Sequence, residues 1–220
     1  MDNIQSSLSK STLLTWWMDD VLEDRRPKNV YTFCKNHAIE EVAFYKFYNS
    51  LSHLEQGVWV AFYENSIELL HQNESFNQYD DQHKLISFYF TFFEALTLNR
   101  SDVIEVLPKE FTEFQKLKQL EELRKSFKGF IAEHIDLKQP SGLLEQLTKY
   151  TGNIAQEGYW TQLLFILHFW VHDTSESFEK TDILIEKIVT TSADLIPTKP
   201  LENLLDLGKF LFKEKFSKFK

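Results

Sequence analysis

His168 and His172 lie four residues apart in an apolar segment, which places both imidazoles on one face of a helix. Such a pair could ligate a metal ion. No Glu follows the first His as it does in the metalloprotease motif, so we favour two polar groups in an apolar pocket and predict no metal site and no cofactor. The sequence also contains no phosphate-binding loop or nucleophile elbow, and we predict that the protein is not an enzyme.

Two segments, residues 85–98 and 159–172, are apolar on nearly every side of a helix and should be buried. Together they could enclose a chamber for a hydrophobic molecule or form a solid core. Glu94 and Arg100 could bind a ligand head group, although an ion pair between them is the simpler reading. The side chains that could line a chamber are Phe88, Tyr89, Phe92, Phe93, Leu96, Tyr159, Leu163, Leu167, His168, Trp170 and His172.

The segment at 201–220 is basic and amphipathic, and five Lys against one Glu follow residue 208. It could lie on an anionic membrane surface. Packing against the body or a dimer partner is the alternative, which we favour for the first half of the segment, while the last turns stay open. The candidates for membrane contact are Lys209, Phe212, Lys213, Phe216, Lys218 and Phe219.

The elements that position these groups are helices. Short helices with small apolar faces are predicted around Val30–Cys34 and Phe44–Tyr48, and Ser52 with Glu55 predicts a capping box that begins a long helix. A short first helix is expected at about 13–22, and further helices at about 52–71, 85–98, 110–134, 143–155, 159–172, 182–195 and from 201 onward.

Composition supports an all-α fold, because aromatic residues make up 15% of the chain while it has only 6 Gly and 5 Pro. The net charge of −9 repels nucleic acid unless a local basic patch overcomes it. The single Cys34 fits a reducing compartment and a small buried side chain. No apolar stretch reaches the roughly 20 residues that span a bilayer. We therefore expect a soluble, cytoplasmic protein, with peripheral contact at the inner membrane surface left open.

The stretch Asn36–Leu54, NHAIEEVAFYKFYNSLSHL, resembles the recognition segment of the TetR family of transcriptional regulators. The family pattern runs Ala-Gly-Val-Ser-Lys-Gly-Thr-Leu-Tyr-x-Tyr-Phe; His37-Ala38 stand at its Ala-Gly, and Ile39 at its Val. The segment YDDQHKLISFYFTFFEALTLNRS is similar to the start of a TetR-like ligand domain, and DLGKFLFK to its terminal helix. Ala43-Phe44-Tyr45 stand at the Thr-Leu-Tyr of the pattern and Phe47-Tyr48 at its Tyr-Phe, so its aromatic core is kept.

The resemblance implies a small N-terminal three-helix head of the helix-turn-helix type, residues 1–55, and a larger helical ligand-binding and dimerisation domain, residues 56–220. It favours a chamber over a solid core between the two apolar segments. It also implies a homodimer through the last two helices, for which Asp182–Leu195 and Leu201–Phe212 are the candidates.

The departures from the family pattern fall where its members meet DNA. A small polar residue, a Lys and a Gly open the family's recognition helix, and here they are Glu40, Glu41 and Val42. These two carboxylates would oppose phosphate oxygens. A Lys of the family pattern is replaced by Leu51. The pattern therefore favours a head that packs on the body over one that binds an operator.

The remaining candidates for contact with DNA are Lys35, Lys46 and Tyr45, although for Tyr45 a core ring is the preferred interpretation. The first hypothesis is a TetR-like homodimer that binds a hydrophobic small molecule, with weakened or lost DNA binding. The alternative is a DNA-independent accessory protein that binds a lipid or isoprenoid and uses its terminal helix at a membrane surface.

Overall fold

The computed structural model describes residues 8–107, 118–136 and 148–195, and every regular element within these ranges is helical. The prediction of an all-α protein is confirmed. The α-helices are α1 (Lys10–Leu22), α2 (Val30–Asn36), α3 (Glu41–Tyr45), α4 (Leu51–Gln72), α5 (Asp81–Leu98), α6 (Arg100–Val106), α7 (Glu121–His134), α8 (Thr148–His172) and α9 (Glu179–Leu195).

The helices of the head and those of the body share one buried hydrophobic core, which is rich in aromatic side chains. α4 is the central helix: it contacts α1 of the head on one side, and α5 and α7 of the body on the other. α9 packs on α5 and α8, and α6 packs on α1. The predicted boundary between residues 55 and 56 lies inside α4, so one continuous helix joins the head to the body.

In the part of the chain that the structure describes, polar side chains cap the starts of four helices, each accepting a hydrogen bond from the backbone N–H three residues on. For α4 the cap is Ser50, which accepts from the N–H of His53 at 3.1 Å. The prediction that Ser52 caps this helix is wrong, since Ser52 lies inside it. The four caps are Ser9, Asn29, Ser50 and Asp80.

The turn between α2 and α3 closes with a left-handed residue. Ala38 has φ 54°, the backbone N–H of Ile39 donates to Cys34 O at 3.0 Å, and that of Ala38 donates to Lys35 O at 3.4 Å. This pair of bonds is a Schellman motif, in which the left-handed position is usually Gly. The motif therefore forms here, although Ala38 has a Cβ and the left-handed conformation is strained for a residue with a Cβ.

Replacing Ala38 with Gly should raise the free energy of unfolding by about 1 kcal/mol, because Gly adopts positive φ without the penalty of a Cβ. Thermal denaturation should show a rise in Tm of roughly 2–4 °C. The matched control is Ala132→Gly in α7, an exposed helical position where the same change should lower stability by about 1 kcal/mol. A Tm that falls in both variants would contradict the assigned turn.

α8 is a single helix from Thr148 to His172, whereas separate helices at 143–155 and 159–172 were expected. Gly158 is exposed and stays helical, which a helix tolerates at a cost of about 1 kcal/mol. The carboxylate of Glu157 accepts hydrogen bonds from Arg124 at 2.6 Å and Lys128 at 2.7 Å, which tie α8 to α7 and lower the pKa of Glu157. Residues 143–147 of the expected helix lie outside the described ranges.

Within the described residues, no helix has the length and hydrophobicity needed to cross a membrane. The membrane-surface candidates Lys209, Phe212, Lys213, Phe216, Lys218 and Phe219, and the dimerisation candidate Leu201–Phe212, lie outside the described ranges and stay predictions.

Candidate ligand cleft and DNA-facing surface

A cleft of about 540 Å³ lies where α1 and α4 meet α5. Three stripes at helical spacing face it, because i, i+3, i+4 and i+7 positions share one side of a helix. The volume is in the range of pockets that hold drug-sized ligands. The lining residues are Leu14 and Met18 of α1, Val58, Ala61, Phe62, Asn65 and Leu69 of α4, and Thr91, Glu94, Ala95 and Leu98 of α5, followed by Asn99.

The apolar side chains that line this cleft range from buried to largely exposed to solvent. Val58 is buried, while Leu98 has an exposed fraction of 79% and Leu69 one of 47%. Two of the polar lining groups are already satisfied by their own helix, since Thr91 Oγ1 donates to Ser87 O at 2.8 Å and Asn99 Nδ2 donates to Ala95 O at 2.9 Å. The cleft therefore presents an apolar surface with few polar groups for a ligand.

The pocket candidates on α5 lie in a closely packed aromatic cluster. The ring of Phe88 stands 4.7 Å from that of Phe130, 5.3 Å from Phe127 and 5.7 Å from Phe92, measured between centroids. The Tyr89 hydroxyl donates to Gln162 Oε1 at 2.9 Å, and burial raises the pKa of Tyr89. The buried members of the candidate set are Phe88, Tyr89, Phe92, Phe93, Leu96, Tyr159, Leu163, Leu167 and Trp170.

None of these candidates is among the described residues that line the cleft, and neither His168 nor His172 is. A ligand chamber between α5 and α8 therefore stays a prediction. His172 is exposed, and its Nδ1 is 2.8 Å from His168 O, while the two rings are 4.6 Å apart. No group of three or more potential metal ligands occurs within the described residues.

Arg100 was expected to pair with Glu94, but it binds the C-terminal end of α8 instead. Its guanidinium donates to Trp170 O at 3.1 Å and to Val171 O at 3.0 Å, and lies 4.4 Å above the Trp170 ring. The guanidinium also lies 4.6 Å from the centroid of the Phe178 ring. These contacts satisfy two terminal carbonyls of α8 and add cation–π attraction. Spacing along the sequence gives no sign of this arrangement, because 70 residues separate the partners.

Asp173 follows α8 and organises the turn into α9. Its carboxylate accepts from Ser175 N at 2.9 Å, Ser175 Oγ at 2.6 Å, Thr181 N at 2.9 Å and Thr181 Oγ1 at 2.7 Å. Burial alone would raise the pKa of Asp173, but these four hydrogen bonds outweigh it and lower the pKa to about 2. The turn therefore depends on an ionised, buried carboxylate.

The DNA-contact candidates lie on the outside of the head. Lys35 and Lys46 are exposed. Tyr45 has an exposed fraction of 51%, so the expectation of a core ring is wrong. Its hydroxyl donates to Glu41 Oε2 at 3.5 Å, and its pKa is raised by desolvation and by the nearby Glu41 carboxylate.

The head is also held together by a buried acid that sequence reasoning missed. Asp20 is almost fully buried, and its Oδ2 lies 2.9 Å from Nε2 of His37. The His37 ring stacks on Trp16 at 4.8 Å. Arg26 connects the head to the body, since its guanidinium donates to the backbone carbonyl of Glu105 and lies 3.9 Å from the Glu55 carboxylate.

Comparison with known proteins supports the body of the fold. A family model described as a tetracyclin repressor-like C-terminal domain matches residues 84–211, which is more than half of the chain. No curated protein matches the chain. The matched region contains α6 to α9 and most of α5, so it includes one wall of the cleft but neither α1 nor α4.

Proposed function

Because this chain belongs to the TetR-like family of regulators, we propose that it is a homodimeric regulator that binds a hydrophobic small molecule in the cleft between α1, α4 and α5 and that grips DNA weakly. The observation that carries the proposal is the composition of the cleft walls. Leu14 and Met18 come from the head, and Ala95 and Leu98 come from the body.

A molecule in this cleft would contact the head and the body at once. Its binding energy would therefore depend on how α1 stands relative to α5, and an equilibrium between two head positions would shift toward the one that binds better. α1 also packs on α6, whose first residue, Arg100, grips α8. Because α8 in turn packs on α9, contiguous packing links the cleft to one of the helices that we propose as the dimer interface.

Weak DNA binding is supported by the surface around α3. Glu40 is exposed, Glu41 stands in the first turn and Val42 is exposed, so carboxylates lie where the family presents small polar and basic residues. Lys35 and Lys46 remain as exposed cations for phosphate contact. If DNA binding is lost altogether, the same cleft would serve the alternative role, a DNA-independent carrier of a lipid or isoprenoid.

Dimerisation through the last two helices is supported by an exposed apolar side chain on α9. Ile183 has an exposed fraction of 48%. Burying such side chains is the main driving force for association. Residues 182–195 of the proposed interface lie in α9, and sedimentation velocity of the purified chain would measure the assembly state.

Filling the cleft with a bulky side chain should weaken ligand binding. Ala61 lines the cleft and is half-buried, so Ala61→Trp should weaken binding of a neutral apolar dye, N-phenyl-1-naphthylamine, about tenfold by removing the space that the dye occupies. Fluorescence titration gives the affinity, and a melting curve checks that the variant folds.

The matched control is Ala132→Trp, at an exposed position of α7 that is not among the described lining residues. It should bind the dye like the unmodified protein. Equal dye affinity in the folded Ala61→Trp variant would rule out the cleft as the binding site, and absence of dye binding in the unmodified protein would rule out an accessible apolar pocket.

A further inference from the structure

The charge of the cleft is set by one side chain. Glu94 is the only charged residue among the described residues that line it, and the side chain is exposed. Arg100, which the sequence offered as a partner for it, instead donates to two carbonyls of α8 and lies 4.4 Å and 4.6 Å from the Trp170 and Phe178 ring centroids. A ligand that enters the cleft therefore meets a carboxylate that the protein itself does not neutralise through Arg100.

A further carboxylate, that of Asp182 in the first turn of α9, interacts electrostatically with Glu94. Burial raises the pKa of Asp182, and the carboxylates of Glu186, Asp173 and Glu94 raise it further. This effect places Glu94 within electrostatic range of the acidic start of α9. The chain as a whole carries a net charge of −9, which adds to the same sign.

Asp19 and Asp102 are two further acidic residues, and each lies close in sequence to a residue that lines the cleft. Burial raises the pKa of Asp102, and Asp19 raises it further. Asp19 directly follows the lining residue Met18, and Asp102 is three residues beyond the lining residue Asn99. An anionic ligand would approach against these charges, whereas a cation would be attracted.

The wall that faces Glu94 fits an apolar body. Leu14 and Val58 are buried there, and the ring of Phe62 is half-buried at the same surface. An aromatic ring also accepts a cation over its face. A complementary molecule thus combines an apolar body with one positive head group.

We propose that the cleft selects amphiphilic organic cations, with the apolar body against Leu14, Val58 and Phe62 and the positive group at Glu94. The inference rests on the proposed function, since it names the ligand class of the same cleft. It excludes fatty acids and other anionic amphiphiles as the preferred ligands.

The test compares three probes that share one ten-carbon chain: decyltrimethylammonium, 1-decanol and decanoate. Each displaces N-phenyl-1-naphthylamine from the unmodified protein, and the competition gives its affinity. We expect decyltrimethylammonium to bind about five- to tenfold more tightly than 1-decanol, as a partly exposed ion pair allows, and decanoate to bind more weakly than 1-decanol. The advantage of the cation should shrink as salt rises.

Glu94→Gln should remove most of the advantage of the cation while leaving the affinity for 1-decanol within about twofold, because the amide keeps the size of the side chain. Glu133→Gln, an exposed position on α7, is the matched control and should keep the full advantage. Equal affinity for all three probes, or an advantage that survives in Glu94→Gln, would overturn the ligand class but leave the cleft as a binding site. Failure of the dye to bind, or dye binding that Ala61→Trp does not weaken, would overturn the proposed function itself.

Discussion

Replacing Asp173 with Ala is expected to lower the free energy of unfolding by about 3 kcal/mol, since hydrogen bonds to a buried charged group contribute about 1.5–3 kcal/mol and buried donors would lose their partner. Thr181 is buried, and both its N–H and its hydroxyl donate to this carboxylate. In a chain of this length the change corresponds to a fall in Tm of roughly 6–12 °C. Urea denaturation followed by circular dichroism measures it.

Glu176→Ala is the control, because this neighbouring carboxylate is exposed and its loss should change stability by less than about 0.5 kcal/mol. The pKa of Asp173 is lowered to about 2 in the folded chain, from an ordinary value of 3.8. Its stabilising effect is therefore complete above pH 4 and is lost as the pH falls toward 2. A gap between the unmodified protein and Asp173→Ala that stays constant from pH 5 to pH 2.5 would contradict this account.

Reversing the charge at the start of α3 should strengthen DNA binding. In Glu40→Ser/Glu41→Lys the local charge changes by three units, and we expect affinity for DNA to rise about 100-fold at low salt, because phosphate contacts dominate the affinity. Fluorescence anisotropy with a duplex from upstream of the coding sequence measures the effect. The gain should fall steeply between 50 and 200 mM salt.

Glu121→Ser/Glu122→Lys makes the same pair of changes in the first turn of α7 and alters the net charge equally. It should raise DNA affinity far less, since these changes lie on α7 and not on the helix that resembles the family's recognition helix. If both double variants gained equally, overall charge rather than the surface of α3 would control binding. Tight, salt-sensitive binding by the unmodified protein would show that its head is not weakened at all.

Apolar spacing predicted the packing of the head only in part. Phe44 and Tyr48 are four residues apart and both are buried, as the pattern indicates. Tyr45 is the neighbour of Phe44, and adjacent residues of a helix point about 100° apart, so one short helix cannot bury both rings. The aromatic run alone does not tell which ring of the pair turns outward.

The contacts that hold the body together could not be read from local pattern. Arg100 reaches carbonyls 70 and 71 residues away, and Glu157 binds cations on a helix that precedes it by about 30 residues. Such pairs depend on how helices cross, which spacing along the chain does not encode. The sequence therefore predicted which segments are helical better than it predicted their partners.

The cleft shows the same limit. Residues 85–98 were predicted to be buried on nearly every side, and seven of these fourteen residues are buried. Glu94 and Leu98 are exposed, however, because α1 and α4 do not cover the end of that helix. Thr91, Glu94 and Leu98 lie within an apolar segment and have no spacing that predicts a binding surface. Their position in the cleft is seen only once α1, α4 and α5 are packed together.

The position of a bound ligand tests the central claim most directly. A crystal of the full chain soaked with a brominated analogue of N-phenyl-1-naphthylamine should give an anomalous bromine peak between Leu14, Phe62 and Leu98, in the cleft that the head shares with the body. A peak between α5 and α8, beside Phe88 and Leu163, would contradict this claim and place the ligand in the chamber that the sequence alone predicts.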